Sequence, residues 1–291
     1  MTHDLAAAPV YSTASEPVRE YDIRGGGGLR LRVHEWGHRN GPAILFVHGW
    51  SQCDMCWDAQ IRSPLAERFR MVTFDSRGHG MSEKPLDPGY YADERLWADD
   101  LAAVIEETGL ERPTLVAWSY GGFIVADYIR AHGDTGIAGI DLVGAAVILR
   151  PPSFDHIGPG FLDNALDAST PDLRTHIAAI QRFLRACTAR PLPDDLWNAA
   201  LCWNMAVPPE IRGALIAREI DGTDSYSGLS VPVLVTHGRE DVIILPSMAE
   251  HVLSHCRTSV ASWYDGAGHM PFEENAERFN LELAALVDRA S

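Results

Sequence analysis

Hydrophobic positions along this chain follow two rhythms. Residues 18–23 and 29–36 alternate apolar and polar side chains and are joined by the glycine run 25–28, which predicts a hairpin at a sheet edge. Residues 43–47, 71–74, 114–117, 137–143, 233–236 and 259–264 are short runs bounded by turn residues, most of them wholly apolar, as strands buried on both faces are. Between these runs the spacing changes to three and four. Residues 96–107 place Leu96, Leu101, Val104 and Ile105 on one side of a helix, and 246–255 and 275–287 are expected to be helical as well. Strands alternating with helices predict an α/β fold: a mostly parallel eight-stranded sheet with helices on both faces.

The alternation stops between 150 and 228. Pro151, Pro152 and Pro159 interrupt the chain, and helical patterns follow over 175–186, 194–203 and 209–218, with no convincing strand. The expected organisation is a core built from residues 17–149 and 229–291, carrying an all-helical cap at 150–228. Residues 1–16, rich in Ala, Ser, Thr and Pro, are expected to form a loose arm. The cap's aromatics Phe154, Phe161, Phe183, Trp197 and Trp203 are candidates to line a pocket, together with Trp118 on the core; each also suits the ordinary packing of a small core.

Composition narrows the partners. The 291 residues are 46% hydrophobic and 22% charged, enough for a large core, and 40 acidic against 24 basic residues give a formal charge of −16. That balance argues against nucleic acid and anionic membrane surfaces and leaves a small molecule as the expected partner; a homo-oligomer is compatible with the sequence. No segment approaches a membrane span, and Met1–Ala8 lacks the basic head and apolar run of a signal peptide. The five cysteines, an odd number, suit reduced thiols in the cytoplasm. Cys53 and Cys56 form a C-x-x-C, but no second pair or histidine cluster completes a metal site, so packing is the expectation.

Candidate chemistry concentrates at strand ends. In Pro113–Tyr128 an apolar strand turns abruptly into a helical pattern at Ser119, flanked by Ala117, Gly121 and Gly122. A serine among small residues at such a turn is the sequence form of a nucleophile elbow, whose strained backbone leaves no room for larger neighbours. Serines that merely cap helices are common, so this stretch alone does not decide. Asp241 and His269 also follow the ends of predicted parallel strands, where open α/β sheets bind their ligands. The three types belong together chemically. A serine hydroxyl needs an imidazole to take its proton, and the imidazole needs a carboxylate to fix its tautomer.

These pieces, with His48-Gly49-Trp50, Asp75-x-Arg77-Gly78-His79-Gly80-x-Ser82, His237-Gly238-x-x-Asp241 and Gly266-x-Gly268-His269, resemble the α/β-hydrolase family, in particular small esterases and the cofactor-free haloperoxidases. The likeness runs from about residue 20 to the end apart from the helical insertion. The departures are Ala117 in place of the first elbow glycine and Ala276 where many relatives carry proline. The resemblance implies a catalytic triad of Ser119, Asp241 and His269, an oxyanion hole formed by the backbone N–H groups of Trp50 and Tyr120, and neither cofactor nor metal. It implies that His48 and His79 hold loops, that Asp75 and Arg77 brace theirs as a pair, and that His237 is structural. Asp265 is a rival for the triad acid but lies too near His269 along the chain. Haloalkane dehalogenases and epoxide hydrolases share the Asp-x-Arg-Gly-x-Gly-x-Ser signature but attack with an elbow aspartate, so a serine at 119 excludes their alkyl-enzyme chemistry. The expected activity is hydrolysis of carboxylic esters or lactones with small to medium, largely apolar groups through an acyl-enzyme, with perhydrolysis as a side activity. Cofactor-independent oxygen chemistry or C–C cleavage on the same scaffold, and a binding module without catalysis, are the alternatives.

Overall fold

A computed structural model describes residues 17–150 and 153–290; the arm expected at 1–16 lies outside them. Strands β1 (Arg19–Arg24) and β2 (Arg30–Gly37) form the hairpin, followed by β3 (Ala43–Val47), α1 (Asp58–Ile61), β4 (Arg70–Phe74), α2 (Gly89–Ala92) and α3 (Glu94–Thr108). Next come β5 (Thr114–Trp118), α4 (Gly121–His132), β6 (Gly139–Val143) and β7 (Ile148–Leu149). A helical stretch carries α5 (Pro159–Ala168), α6 (Leu173–Ala186), α7 (Asp194–Met205) and α8 (Pro209–Ile216), then β8 (Ile220–Asp221) and α9 (Thr223–Ser227). The chain closes with β9 (Val233–Gly238), α10 (Pro246–His255), β10 (Ser259–Tyr264), α11 (Pro271–Glu274) and α12 (Ala276–Ala290).

The main sheet has eight strands in the order β1-β2-β4-β3-β5-β6-β9-β10. Only the pairings of β2 with β1 and with β4 are antiparallel; β4-β3, β3-β5, β5-β6, β6-β9 and β9-β10 are parallel. Every residue of β5 and β6 is buried, which requires helices over both faces of the sheet. That is why these strands read as unbroken apolar runs rather than as alternations. Helix boundaries follow local chemistry. The Asp93 side chain accepts from Arg95 N to open α3, and Gly109 closes it in the left-handed conformation at φ 66°.

Two features escape the sequence pattern. Ile220–Asp221 is a strand inside the stretch expected to hold none; it pairs antiparallel with Ile148–Leu149. Two residues are too few to show alternation. Helix α5 begins at Pro159, which reads as a breaker but occupies a first-turn position where a missing N–H costs nothing. No helix among the described residues is long and apolar enough to cross a membrane.

An ionisable group lies in the middle of the sheet. Asp141, in the centre of β6, is fully buried; Thr236 Oγ1 donates to its Oδ1 at 2.8 Å and its Oδ2 has no partner among the described residues. Burial pushes its pKa up to about 8, against the pull of the Thr236 bond. The folded protein therefore holds a proton that the unfolded chain releases above about pH 4. Stability contributed by this site falls as pH rises from about 4 to about 8 and is level above that. Asp141→Asn removes the titration, so the stability of the parent relative to the variant is expected to decline across that window. Urea unfolding of both proteins at pH 5 and pH 8 measures it; equal differences at the two pH values would refute the assignment.

Candidate functional site

The strand-to-helix turn between β5 and α4 places Ser119 in the left-handed region at φ 54°, a conformation costing a non-glycine residue ~1–3 kcal/mol. The surroundings impose it. Ser119 N donates to Val143 O at 3.1 Å, and Ser119 O accepts from Gly122 N and Ala146 N at 2.9 Å. Gly121 is confined to glycine because a Cβ there would lie 2.5 Å from Val47 O on β3.

The loop after β3 crosses in front of this turn. A Cβ on Gly49 would lie 3.0 Å from Ser119 Cβ and 3.5 Å from its Oγ, so the backbone of this loop touches the serine. Ser51 is held left-handed at φ 63°. The N–H groups of Trp50 and Tyr120 donate to no acceptor among the described residues. Buried N–H groups are otherwise almost always paired, which makes two open donors beside one serine notable.

Histidines support this loop. His48 Nε2 accepts from Ser76 N at 3.0 Å and His79 Nε2 accepts from Ser51 N at 3.1 Å, while their Nδ1 atoms face Gly49 O and Arg77 O at 2.8 and 2.9 Å. Each ring thus needs a lone pair. Burial lowers the pKa of His48 to about 4 and that of His79 well below its usual value, so both stay neutral. Asp75 and Arg77 do not pair with each other. Two residues apart, they diverge: Asp75 accepts from Asp54 N and Met81 N at 3.0 and 2.6 Å, whereas Arg77 reaches Asp100 on α3 at 2.6 Å.

The ends of β9 and β10 bring two further residues together. His269 Nδ1 lies 2.7 Å from Asp241 Oδ2, the distance of an N–H donated to a carboxylate. Asp241 Oδ1 accepts from Ile243 N at 2.8 Å and Ile244 N at 3.0 Å, so both carboxylate oxygens are engaged. The backbone of His269 is clamped as well: its N–H donates to Cys187 O at 2.8 Å and its carbonyl accepts from the Trp118 indole at 2.9 Å. Ser119 Oγ makes no hydrogen bond to the ring among the described residues; such contacts commonly tighten only around bound substrate. His237 Nε2 sits 3.4 Å from Asp241 Oδ2 and 2.9 Å from Ile244 O, bracing the acid's loop. Asp265 turns outward, its side chain 89% exposed and 2.9 Å from Arg239.

Above Ser119 is a small cavity of about 20 Å³, lined mainly by apolar side chains: Trp50, Phe123, Leu149, Phe161, Ile216 and Ile244 among them. Of the pocket candidates, Phe161 lies in this wall. Phe183 packs behind it, its ring 5.1 Å from that of Trp50. Trp118 lies beneath His269, Trp203 donates to Gln52 at 2.8 Å, and Trp197 lines a separate groove under Arg185. Phe154 is partly exposed. The remaining wall residues gave no signal because an apolar residue facing a cavity has the same pattern as one facing the core.

Residues 44–282 match the alpha/beta hydrolase family. The chain is an α/β hydrolase. It is 29% identical over 272 residues to a bifunctional esterase/perhydrolase of Acinetobacter calcoaceticus, covering 89% of this chain and 96% of that one. It is 26% identical over 273 residues to a non-heme haloperoxidase of Rhodococcus erythropolis, covering 90% of this chain and 97% of the relative. Among solved structures, the esterase RhEst1 from Rhodococcus superposes with a TM-score of 0.88 at 30% identity over 94% of this chain and 99% of that one.

In this α/β hydrolase the five cysteines are free thiols, all buried except Cys202. Burial raises the pKa values of Cys53 and Cys56, so neither is a ready thiolate. Cys53, Asp54 and Asp75 bring ligand-type atoms within 4.8 Å of one another, but both Asp75 oxygens already accept backbone N–H groups.

Proposed function

We propose that this α/β hydrolase is a serine hydrolase that cleaves carboxylic esters or lactones through an acyl-enzyme. The observation carrying the proposal is the pairing of His269 with Asp241 at 2.7 Å at the same sheet end as a strained Ser119, whose pocket also holds the two open N–H donors of Trp50 and Tyr120. In the reaction, Ser119 Oγ attacks the substrate carbonyl while its proton passes to His269 Nε2. Asp241 keeps Nδ1 protonated and stabilises the imidazolium. The N–H groups of Trp50 and Tyr120 receive the oxyanion, each worth ~10²–10³ in rate. Collapse expels the alcohol, which takes the proton from His269, and water repeats the sequence on the acyl-serine.

Residues 150–228 act as a cap in this reading, and the substrate is a small molecule. The cavity over Ser119 is small and lined mainly by apolar side chains, so short acyl groups suit it and longer chains require the cap to move. Across p-nitrophenyl esters, kcat/KM is therefore expected to fall from acetate to butyrate to octanoate. A profile rising with chain length would overturn this account of the pocket. The same panel, extended to lactones and combined with fluorophosphonate labelling of Ser119, tests the function itself. Inert esters and lactones would refute it and favour C–C cleavage or oxygen chemistry, and an unlabelled serine as well would favour a binding module without catalysis.

A second activity has support in the relatives. With an esterase/perhydrolase and a haloperoxidase among them, peroxide replacing water on the acyl-serine, giving a peracid, fits the same site.

A further inference from the structure

Arg212, on α8, is fully buried and has no acidic partner among the described residues. Its Nε donates to Ser51 Oγ at 2.7 Å and Nη1 donates to Ala168 O at 3.0 Å; Nη1 also contacts His176 Nε2, and Nη2 donates to Asn204 O. No Asp or Glu among the described residues forms an ion pair with it, and desolvation alone perturbs it. Its pKa is lowered to about 10, so it remains charged at neutral pH. A buried cation without a counter-ion is costly, and replacing it by an apolar side chain would be the simpler way to fill the space. Its contacts explain why a guanidinium stands there. The fork reaches the end of α5, a side chain of α6 and a carbonyl of α7, so one group ties the cap helices together. Its remaining nitrogen goes to the core, to the residue that follows Trp50.

The link at Ser51 is specific. Ser51 is left-handed at φ 63°. Its N–H is taken by His79 Nε2 at 3.1 Å and its hydroxyl by Arg212, while the Trp50 indole donates back to Arg212 O at 3.4 Å. These three bonds hold the Trp50–Ser51 peptide, the Ser51 side chain and the Trp50 ring. They so brace from its C-terminal side the Gly49–Trp50 peptide that carries the Trp50 N–H, whose carbonyl accepts from Gln52 N at 3.3 Å. Among the described residues, nothing else from the cap bonds to this loop except Trp203 and Asn204, which reach Gln52 Oε1 at 2.8 and 3.5 Å.

We propose that Arg212 is a positioning residue that aims the Trp50 N–H at the reacting carbonyl only while the cap is docked, making oxyanion stabilisation depend on cap closure. This rests on the acyl-enzyme reading above. Arg212 touches no substrate; it acts through Ser51.

The test compares wild type, Ser51→Ala and Arg212→Gln with p-nitrophenyl acetate as substrate and an aryl trifluoromethyl ketone as inhibitor. Active sites are counted by fluorophosphonate titration, and thermal unfolding is followed in parallel. Ser51→Ala deletes one bond and leaves the cap's own bonds to Arg212 in place, so it carries the test even if Arg212→Gln does not fold. Both variants are expected to lose about 10- to 100-fold in kcat per titrated site, part of the ~10²–10³ that follows complete loss of an oxyanion donor. KM should stay within about twofold, and the inhibition constant of the ketone, which needs the oxyanion site, should rise by the same factor as kcat falls. Unchanged kcat per site with a lowered unfolding temperature would make Arg212 a cap fastener only and overturn the proposal. Wild type that neither turns over the ester nor takes up fluorophosphonate would overturn the functional reading, and this proposal with it.

Discussion

Ser119→Ala is expected to fold as the parent does and to lose ~10⁶-fold in kcat toward p-nitrophenyl acetate, the scale seen when a triad nucleophile is removed. The fold should survive for a local reason. Ser119 Oγ bonds to nothing among the described residues, and alanine meets the same backbone penalty at φ 54°. Stability should therefore change little. In the proposed mechanism what disappears is the atom that becomes acylated, so turnover is expected to fall to what the oxyanion donors achieve with water. His269→Ala should cost a comparable factor, because nucleophile and base act as one unit. That equality separates the acyl-enzyme mechanism from oxygen chemistry or another base-driven reaction, where the histidine change hurts far more. Initial rates for both variants, normalised to folded protein, measure it. A Ser119→Ala protein retaining parent activity would rule the mechanism out.

Asp241→Asn is expected to lower kcat by ~10⁴-fold with little change in KM. Asp241 uses one oxygen for Ile243 N and Ile244 N and the other for His269 Nδ1. An asparagine must keep its oxygen toward the two backbone donors, since turning its NH₂ there would set three N–H groups against one another. The NH₂ then faces His269 and forces Nδ1 to become an acceptor. The proton moves to Nε2, and the ring can no longer take one from Ser119. The acid's loop is otherwise preserved, so near-wild-type unfolding with lost turnover is the signature. A variant with parent kcat would mean that the carboxylate does not set the tautomer.

Much of this architecture is written in the one-dimensional pattern. Strands covered on both faces must be apolar throughout, so β3, β5 and β9 were legible without contacts. Ser119 was visible because a left-handed turn pressed against a neighbouring strand tolerates only small flanking residues, and Ala117, Gly121 and Gly122 supply them. Asp241 and His269 could be expected to meet because parallel strands deliver their C-terminal ends to one edge of the sheet, whatever the distance along the chain.

Tertiary structure alone decided the rest. Asp75 and Arg77 share a motif yet part, because Arg77 finds its counter-ion on α3, and no local rule names a partner 23 residues away. Trp118 looked like a pocket wall and instead holds the His269 carbonyl from below. Arg212 and Ser51 meet across 161 residues, and neither carries a pattern in the sequence. Periodicity reports which face of an element is buried, since burial is a property of the whole element. It does not report what each buried polar group bonds to, since that depends on where separate elements cross.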